Sequence, residues 1–218
     1  MTQPSRLTRI ETALAALFPT GVAVAACDLT SADPGALWPD ERDAVAGAVP
    51  HRLAEFAAGR QAARQALAAL GHPESALPMG PDRAPLWPDG ISGSIAHAAG
   101  MAVAVVRSGP PLGVDLEEDA PLSPDLWPVI LTPEEQRDLP PGETGRQVRQ
   151  VFAAKEAIFK AQDPATRAMF GFDAVAVTLA NGGFNAIFRI SAGAFSQGQI
   201  IQGRLALVEG VILSGVAR

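Results

Sequence analysis

Apolar and polar residues follow two spacings along this chain, one typical of helices and one typical of strands. Apolar residues recur every three to four positions at residues 10–18, 50–70 and 146–162, which predicts three helices. Shorter apolar runs between turn residues predict strands. These lie at residues 21–28, 91–97, 101–107, 112–118, 172–180, 183–191, 199–208 and 210–217. Each half of the chain then runs from helix to antiparallel strands, an α+β order.

The first long predicted helix carries arginines on its apolar stripe. At 100° per residue, Arg60 and Arg64 lie within the stripe and Arg52 lies at its edge. A guanidinium on a core-facing stripe is costly unless it is paired. Two interpretations stay open. One is a salt bridge to Glu55 or to an acid in another element, and the other is a pocket where arginines bind phosphate oxygens.

The second long predicted helix shows the same conflict. Lys155 lies in the middle of its apolar stripe, while Glu156 and Lys160 lie together along one edge. A glutamate four residues before a lysine is the ordinary helix-stabilising pair, which leaves a structural interpretation open. Surface pairing does not explain Lys155. A short helix is also predicted to start at Thr132-Pro133-Glu134-Glu135, which has the pattern of a capping box.

Two acidic side chains share one face of the predicted strand 112–118. Because side chains alternate along a strand, Asp115 and Glu117 point the same way. Together with Glu156 they offer three carboxylates, the donors that hard divalent cations prefer, and Lys160 adds a positive charge. This pattern suggests a metal ion that holds a phosphate. The alternative is a solvated acidic cluster at the end of the strand.

The composition narrows the class of protein. The 218 residues include 17 Lys and Arg against 23 Asp and Glu, a net charge of −6, which argues against a nucleic-acid-binding protein. The single cysteine, Cys27, forms no internal disulfide and fits a reducing compartment, so we predict a cytoplasmic protein. The longest nearly pure apolar run is residues 98–106. A membrane span needs about 20 residues, so none is predicted.

A short repeat in the two long predicted helices indicates an internal duplication. Phe56-Ala57-Ala58 matches Phe152-Ala153-Ala154, and the match aligns Arg60 with Glu156. We therefore predict two similar halves about a pseudo-two-fold, with a ligand-binding cleft between them. The predicted halves are residues 1–109 and residues 110–218.

Together these segments resemble the phosphopantetheinyl transferase superfamily, and within it the branch of enterobactin synthetase component D. The two signatures of the superfamily, G-x-D-x-E and W/F-x-x-K-E-x-x-x-K, match residues 113–117 and 152–160. Further motifs of the branch match residues 52–64, 83–88 and 93–97. A G-x-D-x-E pattern alone is weak, whereas five motifs in this order are specific.

The resemblance implies an enzyme of two similar α/β halves that transfers 4′-phosphopantetheine from coenzyme A to a serine of an acyl or peptidyl carrier protein. Adenosine 3′,5′-bisphosphate would be released, and the setting would be siderophore or other nonribosomal peptide synthesis. The implied ligands of Mg²⁺ are Asp115, Glu117 and Glu156. The implied catalytic side chains are Glu156, Lys160 and Glu117. The implied coenzyme ligands are Arg52, Arg60, Arg83, His97, Lys155 and Lys160, of which the first four would hold its phosphates, including the 3′-phosphate.

The chain departs from the family pattern beside the histidine. Ala96 and Ala98 stand where relatives often carry hydroxyl residues, which removes one or two phosphate hydrogen bonds. This departure leaves room for a catalytically impaired module that binds coenzyme A or a carrier protein. The three acids would also suit a Mg²⁺-dependent phosphohydrolase. Because carrier proteins are usually acidic, docking is expected through basic residues. These are Arg137, Arg146 and Arg149.

Overall fold

A computed structural model describes residues 3–139, 144–166 and 168–218 of the chain. The helices are α1 (Arg6–Ala16), α2 (Pro39–Arg42), α3 (Pro50–Ala69), α4 (Trp127–Ile130), α5 (Pro133–Arg137) and α6 (Thr144–Thr166). The strands are β1 (Ala23–Asp28), β2 (Ile91–Ala98), β3 (Met101–Ser108), β4 (Leu112–Glu118), β5 (Val175–Ala180), β6 (Gly183–Phe188), β7 (Ile200–Val208) and β8 (Val211–Ala217). Among these residues, no helix combines the length and the apolar character that crossing a membrane requires.

The strands form two antiparallel sheets whose connections repeat one pattern. The first sheet has the order β1-β3-β2, and the second has the order β4-β8-β7-β6-β5. In each sheet the first strand leads towards a long helix, α3 or α6, and a later hairpin places its second strand beside the first. The second sheet adds the β5–β6 hairpin. The α+β fold with two similar halves is therefore confirmed, whereas the boundary at residues 109 and 110 stays a prediction.

The two sheets meet along β2 and β4. The backbone N–H of Val114 in β4 donates to the hydroxyl of Ser94 in β2 at 3.1 Å, and Ser94 is buried. One apolar core extends across this junction. It includes Ile10 and Leu14 of α1, Val103 and Val105 of β3, Leu116 of β4 and Leu213 of β8. Because the halves share this core, side chains from both can line one cleft in a fixed relation.

Gly113 allows α6 to lie directly against β4. A Cβ at this position would lie 2.0 Å from the carbonyl oxygen of Ala157 in α6, so no larger residue fits without moving the backbone. The close approach brings the helix that carries Glu156 next to the strand that carries Asp115. The glycine of the G-x-D-x-E pattern thus serves the packing that assembles the site.

Residues 31–40, where the clustered Pro, Gly and Asp predict a loop, contain short helical turns. A 3₁₀ turn spans Pro34–Ala36, and the carboxylate of Asp33 accepts from the backbone N–H of Gly35 at 2.8 Å. Helix α2 also begins with a proline. The fixed φ of proline suits the first position of a helix, so proline-rich composition alone does not separate a loop from a short turn.

Candidate active site

The acidic face of β4 and the charged edge of α6 meet in the structure, as the sequence predicts. The ammonium of Lys160 donates to Asp115 Oδ1 at 2.6 Å. Asp115 is buried, and its second oxygen, Oδ2, has no hydrogen-bond partner within the described residues. Lys160 is 27% exposed, so its ammonium remains open to a ligand.

Burial and neighbouring charges raise the pKa of two carboxylates of this cluster, Asp115 and Glu156. Burial raises the pKa of Asp115 to about 7 against the opposing charge of Lys160, and the negative charges of Glu117 and Glu156 raise it further. Burial also raises the pKa of Glu156, where Lys160 again opposes the shift and Glu117 adds to it. Because burial and nearby negative charge disfavour the ionisation of Asp115 and Glu156, a bound cation is electrostatically favourable at this site.

A residue that the motifs do not include, Arg149 of α6, completes the cluster. Its guanidinium donates to Glu117 Oε2 at 2.8 Å and to the carbonyl of Ala120 at 3.3 Å. Arg149 lies seven residues, or about two helical turns, before Glu156. This spacing places both residues on one face of α6 and could have predicted that Arg149 is near the site. The expected docking residue Arg149 is therefore paired inside the cluster, while Arg146 lies 3.5 Å from Asp119 at the surface.

The donor set suits a hard cation such as Mg²⁺. Carboxylates are its preferred protein ligands, and the unpartnered buried Oδ2 of Asp115 is a ready donor. In the described part of the chain, however, no three His, Cys, Asp or Glu side chains stand close enough to share one ion as they are placed. Lys160 and Arg149 pair with Asp115 and Glu117 instead.

The predicted coenzyme residues Arg52 and His97 lie together in a second cluster on the N-terminal half. The Arg52 guanidinium lies 2.9 Å from His97 Nε2 and donates to Glu55 at 3.1 Å. The other ring nitrogen of His97, Nδ1, lies 3.3 Å from the same carboxylate. Burial lowers the pKa of His97, the charge of Glu55 opposes this shift, and Arg52 and Lys160 add to it.

The two arginines on the stripe of α3 both turn inward. Arg64 donates to the fully buried Glu41 at 2.8 Å, so the salt-bridge interpretation holds for this residue. Arg60 is 4% exposed, donates from Nε to the carbonyl of Leu77 at 2.6 Å and lies over the ring of Phe56. Burial lowers the pKa of Arg60 to about 10. These contacts attach the segment that leads to Arg83.

The expectation that Lys155 binds the coenzyme does not agree with its contacts. Its ammonium is buried and donates to Glu135 at 2.7 Å, to the carbonyl of Ile130 at 2.8 Å and to the carbonyl of Phe172 at 2.9 Å. An ammonium has three donors, so none remains for a phosphate. Lys155 points to the interior because the apolar stripe on which it lies packs into the core.

A cleft of about 250 Å³ lies between the two halves, beside the acid cluster. Its walls are formed by Arg83 and Trp87, from the proline-rich connection between α3 and β2, and by Glu156, Phe159 and Lys160 of α6. Trp87 packs over β2, and a Cβ on Gly93 would lie 2.5 Å from its ring. Arg83 has φ of +67°, a conformation that non-glycine residues rarely adopt.

Two other cavities help to delimit the site. An apolar cavity of about 250 Å³ shares Glu156 and Phe159 with the cleft and continues along Met169, Phe170 and Phe172. A larger cavity of about 490 Å³ lies between the end of α1 and the second sheet, and none of the predicted site residues lines it. The chemistry is therefore concentrated where α6 faces β2 and β4.

Comparisons with known proteins agree with this geometry. A family model of the 4'-phosphopantetheinyl transferase N-terminal domain matches residues 40–107, and one of the 4'-phosphopantetheinyl transferase superfamily matches residues 111–208. The chain is 36% identical over 193 residues to 4'-phosphopantetheinyl transferase Svp of Streptomyces mobaraensis, covering 83% of this chain and 78% of the relative. It is 31% identical over 198 residues to 4'-phosphopantetheinyl transferase Npt of Nocardia iowensis, covering 82% and 88%. Enterobactin synthase component D of Salmonella typhi is 37% identical over 151 residues, covering 66% and 62%.

Proposed function

Because this chain belongs to the 4'-phosphopantetheinyl transferase superfamily, we propose that it moves 4′-phosphopantetheine from coenzyme A to a serine of a carrier protein and releases adenosine 3′,5′-bisphosphate. The observation that carries this proposal is the meeting of Asp115, Glu156 and Lys160 beside a cleft that Arg83 also lines. An anionic pyrophosphate in such a cleft would meet cations on one wall and metal ligands on the other.

This placement supports the following assignment of ligands. Asp115, Glu117 and Glu156 would hold Mg²⁺, which when bound would neutralise charge on the pyrophosphate. Arg52, Arg83 and His97 would hold the phosphates of coenzyme A. Arg60, expected from the sequence to be a fourth phosphate ligand, is buried and donates to the carbonyl of Leu77, so we assign it to supporting the segment that carries Arg83. Lys155 is left out of this set because its donors are used in the core. The apolar cavity beside Glu156 has a lining that suits the pantetheine arm.

Residues of this chain would carry the proton and the leaving charge. The serine hydroxyl attacks the phosphorus that bears pantetheine, and the bond from this phosphorus to the adenosine-bearing phosphate breaks. Glu156 accepts the serine proton, since burial raises its pKa towards the range of a useful general base. Glu117 is a weaker choice for this role because Arg149 holds it. Lys160 stabilises the negative charge that develops on the leaving phosphate.

We place this activity in the cytoplasm, in siderophore or other nonribosomal peptide synthesis. The similarity to enterobactin synthase component D supports that setting. The acceptor would be an acidic carrier domain, which exposed basic side chains such as Arg146 could attract. Carrier proteins from fatty-acid synthesis are the alternative acceptors to compare.

The proposal is tested by the mass of a purified apo carrier protein after incubation with this protein, coenzyme A and Mg²⁺. We expect a gain of one phosphopantetheine group, lost with a metal chelator and in Glu156→Gln, and retained in Glu118→Gln. Glu118 is a matched control because it lies on the same strand as the acids but is exposed. Coenzyme binding without transfer would instead support an impaired binding module. Release of phosphate products without a carrier would support a phosphohydrolase.

A further inference from the structure

Glu55 lies at the centre of the cluster that contains the predicted coenzyme residues of the N-terminal half. One carboxylate oxygen, Oε2, accepts from Arg52 at 3.1 Å. The other, Oε1, lies 3.3 Å from His97 Nδ1 and 3.2 Å from His51 Nε2. Glu55 is only 18% exposed, whereas His51 is 75% exposed. A carboxylate at the middle of a phosphate site repels the ligand, so it needs an explanation.

The partners of His97 determine where its proton lies. A guanidinium can only donate, so His97 Nε2, which lies 2.9 Å from Arg52, must accept and carries no proton. The ring proton of neutral His97 is then on Nδ1, which lies 3.3 Å from the carboxylate oxygen Oε1 of Glu55. An ionised carboxylate can only accept, so Glu55 at Nδ1 and Arg52 at Nε2 together favour this tautomer.

This tautomer does not suit a phosphate. A fully ionised phosphate can only accept hydrogen bonds, so it cannot bond to an Nε2 that carries no proton. The proton on Nδ1 cannot move to Nε2 without losing its contact with Glu55. We propose that Glu55 is a positioning residue that keeps His97 protonated on Nδ1, so that binding the 3′-phosphate of coenzyme A at Nε2 takes up one proton from solvent. This inference rests on the proposed function, since it assumes that coenzyme A binds at this cluster.

The charged groups around His97 set the direction of the pH dependence. Burial lowers the pKa of His97, the Glu55 charge raises it, and Arg52 and Lys160 lower it. His51 Nε2 lies 3.2 Å from Oε1 of Glu55, the same oxygen that His97 contacts. The free protein therefore holds neutral His97 at neutral pH, whereas a phosphate dianion beside Nε2 favours the charged ring. Coenzyme affinity is then highest at lower pH and weakens as pH rises through the pKa of the complex.

Isothermal titration calorimetry in buffers of different ionisation enthalpy counts the protons taken up. The titrations are run at about pH 8, where a phosphate monoester with a second pKa near 6 is already a dianion. We expect wild-type protein to take up about one proton more with coenzyme A than with 3′-dephospho-coenzyme A. Glu55→Gln should lose most of this uptake, because it removes the carboxylate charge that raises the pKa of His97 and favours the charged ring. The control His51→Asn should keep the wild-type value.

The possible outcomes separate this inference from the proposed function. If coenzyme A does not bind, the proposed function fails. If it binds and both ligands take up equal numbers of protons, or Glu55→Gln keeps the wild-type uptake, the role of Glu55 is refuted. Nitrogen-15 shifts of the His97 ring provide a second readout that needs no ligand. They should report a proton on Nδ1 and none on Nε2 in the free wild-type protein; an Nε2 proton there would refute the inference.

Discussion

The two long helices occupy equivalent places in the two halves but present different chemistry to their surroundings. Both α3 and α6 follow the first strand of a sheet and precede its hairpin. The repeated Phe-Ala-Ala segment aligns Arg60 with Glu156. Arg60 turns to the carbonyl of Leu77 and is buried, whereas Glu156 lines the cleft. At equivalent positions, α3 therefore carries an arginine that attaches a neighbouring segment, and α6 carries the candidate general base.

The difference teaches how a charge on an apolar stripe should be interpreted. In the Lys155–Glu135 pair the two side chains are 2% and 6% exposed, so the pair belongs to the core. The Arg64–Glu41 pair is similarly closed. Lys160 pairs with an equally buried acid but keeps 27% of its own surface exposed in the cleft. Pairing alone therefore does not identify a functional charge. A functional pair is one in which at least one of the two side chains reaches the cleft.

The largest expected effect comes from Glu156, the candidate base on α6. Glu156→Ala should lower kcat for carrier modification by about 10²- to 10⁴-fold, the usual contribution of general base catalysis. Coenzyme binding should weaken by less than kcat falls, because Asp115 and Glu117 would still hold Mg²⁺ and the proposed phosphate ligands Arg52, Arg83 and His97 are unchanged. Steady-state kinetics with a purified apo carrier measures both quantities. If the variant keeps the wild-type kcat, another group is the general base, and the contrast between Glu156 and Arg60 does not hold.

Lys155, beside Glu156 in sequence, should affect stability instead. Lys155→Met leaves Glu135 buried without a counter-charge, which should cost about 3–5 kcal/mol in the free energy of unfolding. Urea unfolding measures this loss. Combining it with Glu135→Gln should recover part of the loss, since the amide oxygen can still accept from the backbone N–H of Thr132 or Val177. If stability is unchanged and the KM for coenzyme A rises, Lys155 is a coenzyme ligand after all.

Gly113 connects the acid strand to the charged helix, so its substitution should affect both stability and activity. Gly113→Ala places a Cβ against the backbone of α6, which should cost about 1–3 kcal/mol or more by overpacking. The forced movement of α6 away from β4 should lower kcat about 100-fold, because catalysis tolerates little misplacement. Unfolding and transfer assays on one preparation test both effects. A stable variant with normal activity would show that the close approach is not needed for the site.

The sequence predicts the local arrangement of the site well, because strand alternation and helix spacing are short-range properties. Asp115 and Glu117 share a face, and Glu156 and Lys160 share an edge, as these periods require. The partners of Lys155 and Arg64 could not be predicted in this way. Glu135 and Glu41 lie 20 and 23 residues away, and only the packing of other helices brings them close.

The capping box of α5 shows why a correct local prediction can be incomplete. Glu135 accepts from the backbone N–H of Thr132 at 2.6 Å, as the sequence pattern predicts. The same carboxylate also accepts from Lys155 and from the backbone N–H of Val177 in β5. The sequence pattern accounts for the first contact, whereas the other two depend on how α6 and β5 pack around the cap.

The smallest expected effect comes from Gly59, the glycine at which α3 faces β2. A Cβ there would lie 3.0 Å from the Cγ2 methyl of Ile95, a side-chain contact that a shift of a few tenths of an ångström relieves, unlike the backbone contact at Gly113. Alanine also favours a helix interior by about 1 kcal/mol over glycine. Gly59→Ala should therefore stay within about 1 kcal/mol of the wild type in unfolding free energy, with unchanged kcat. A loss as large as that of Gly113→Ala would mean that both helices need an equally close approach, and that the two halves differ in their side chains alone.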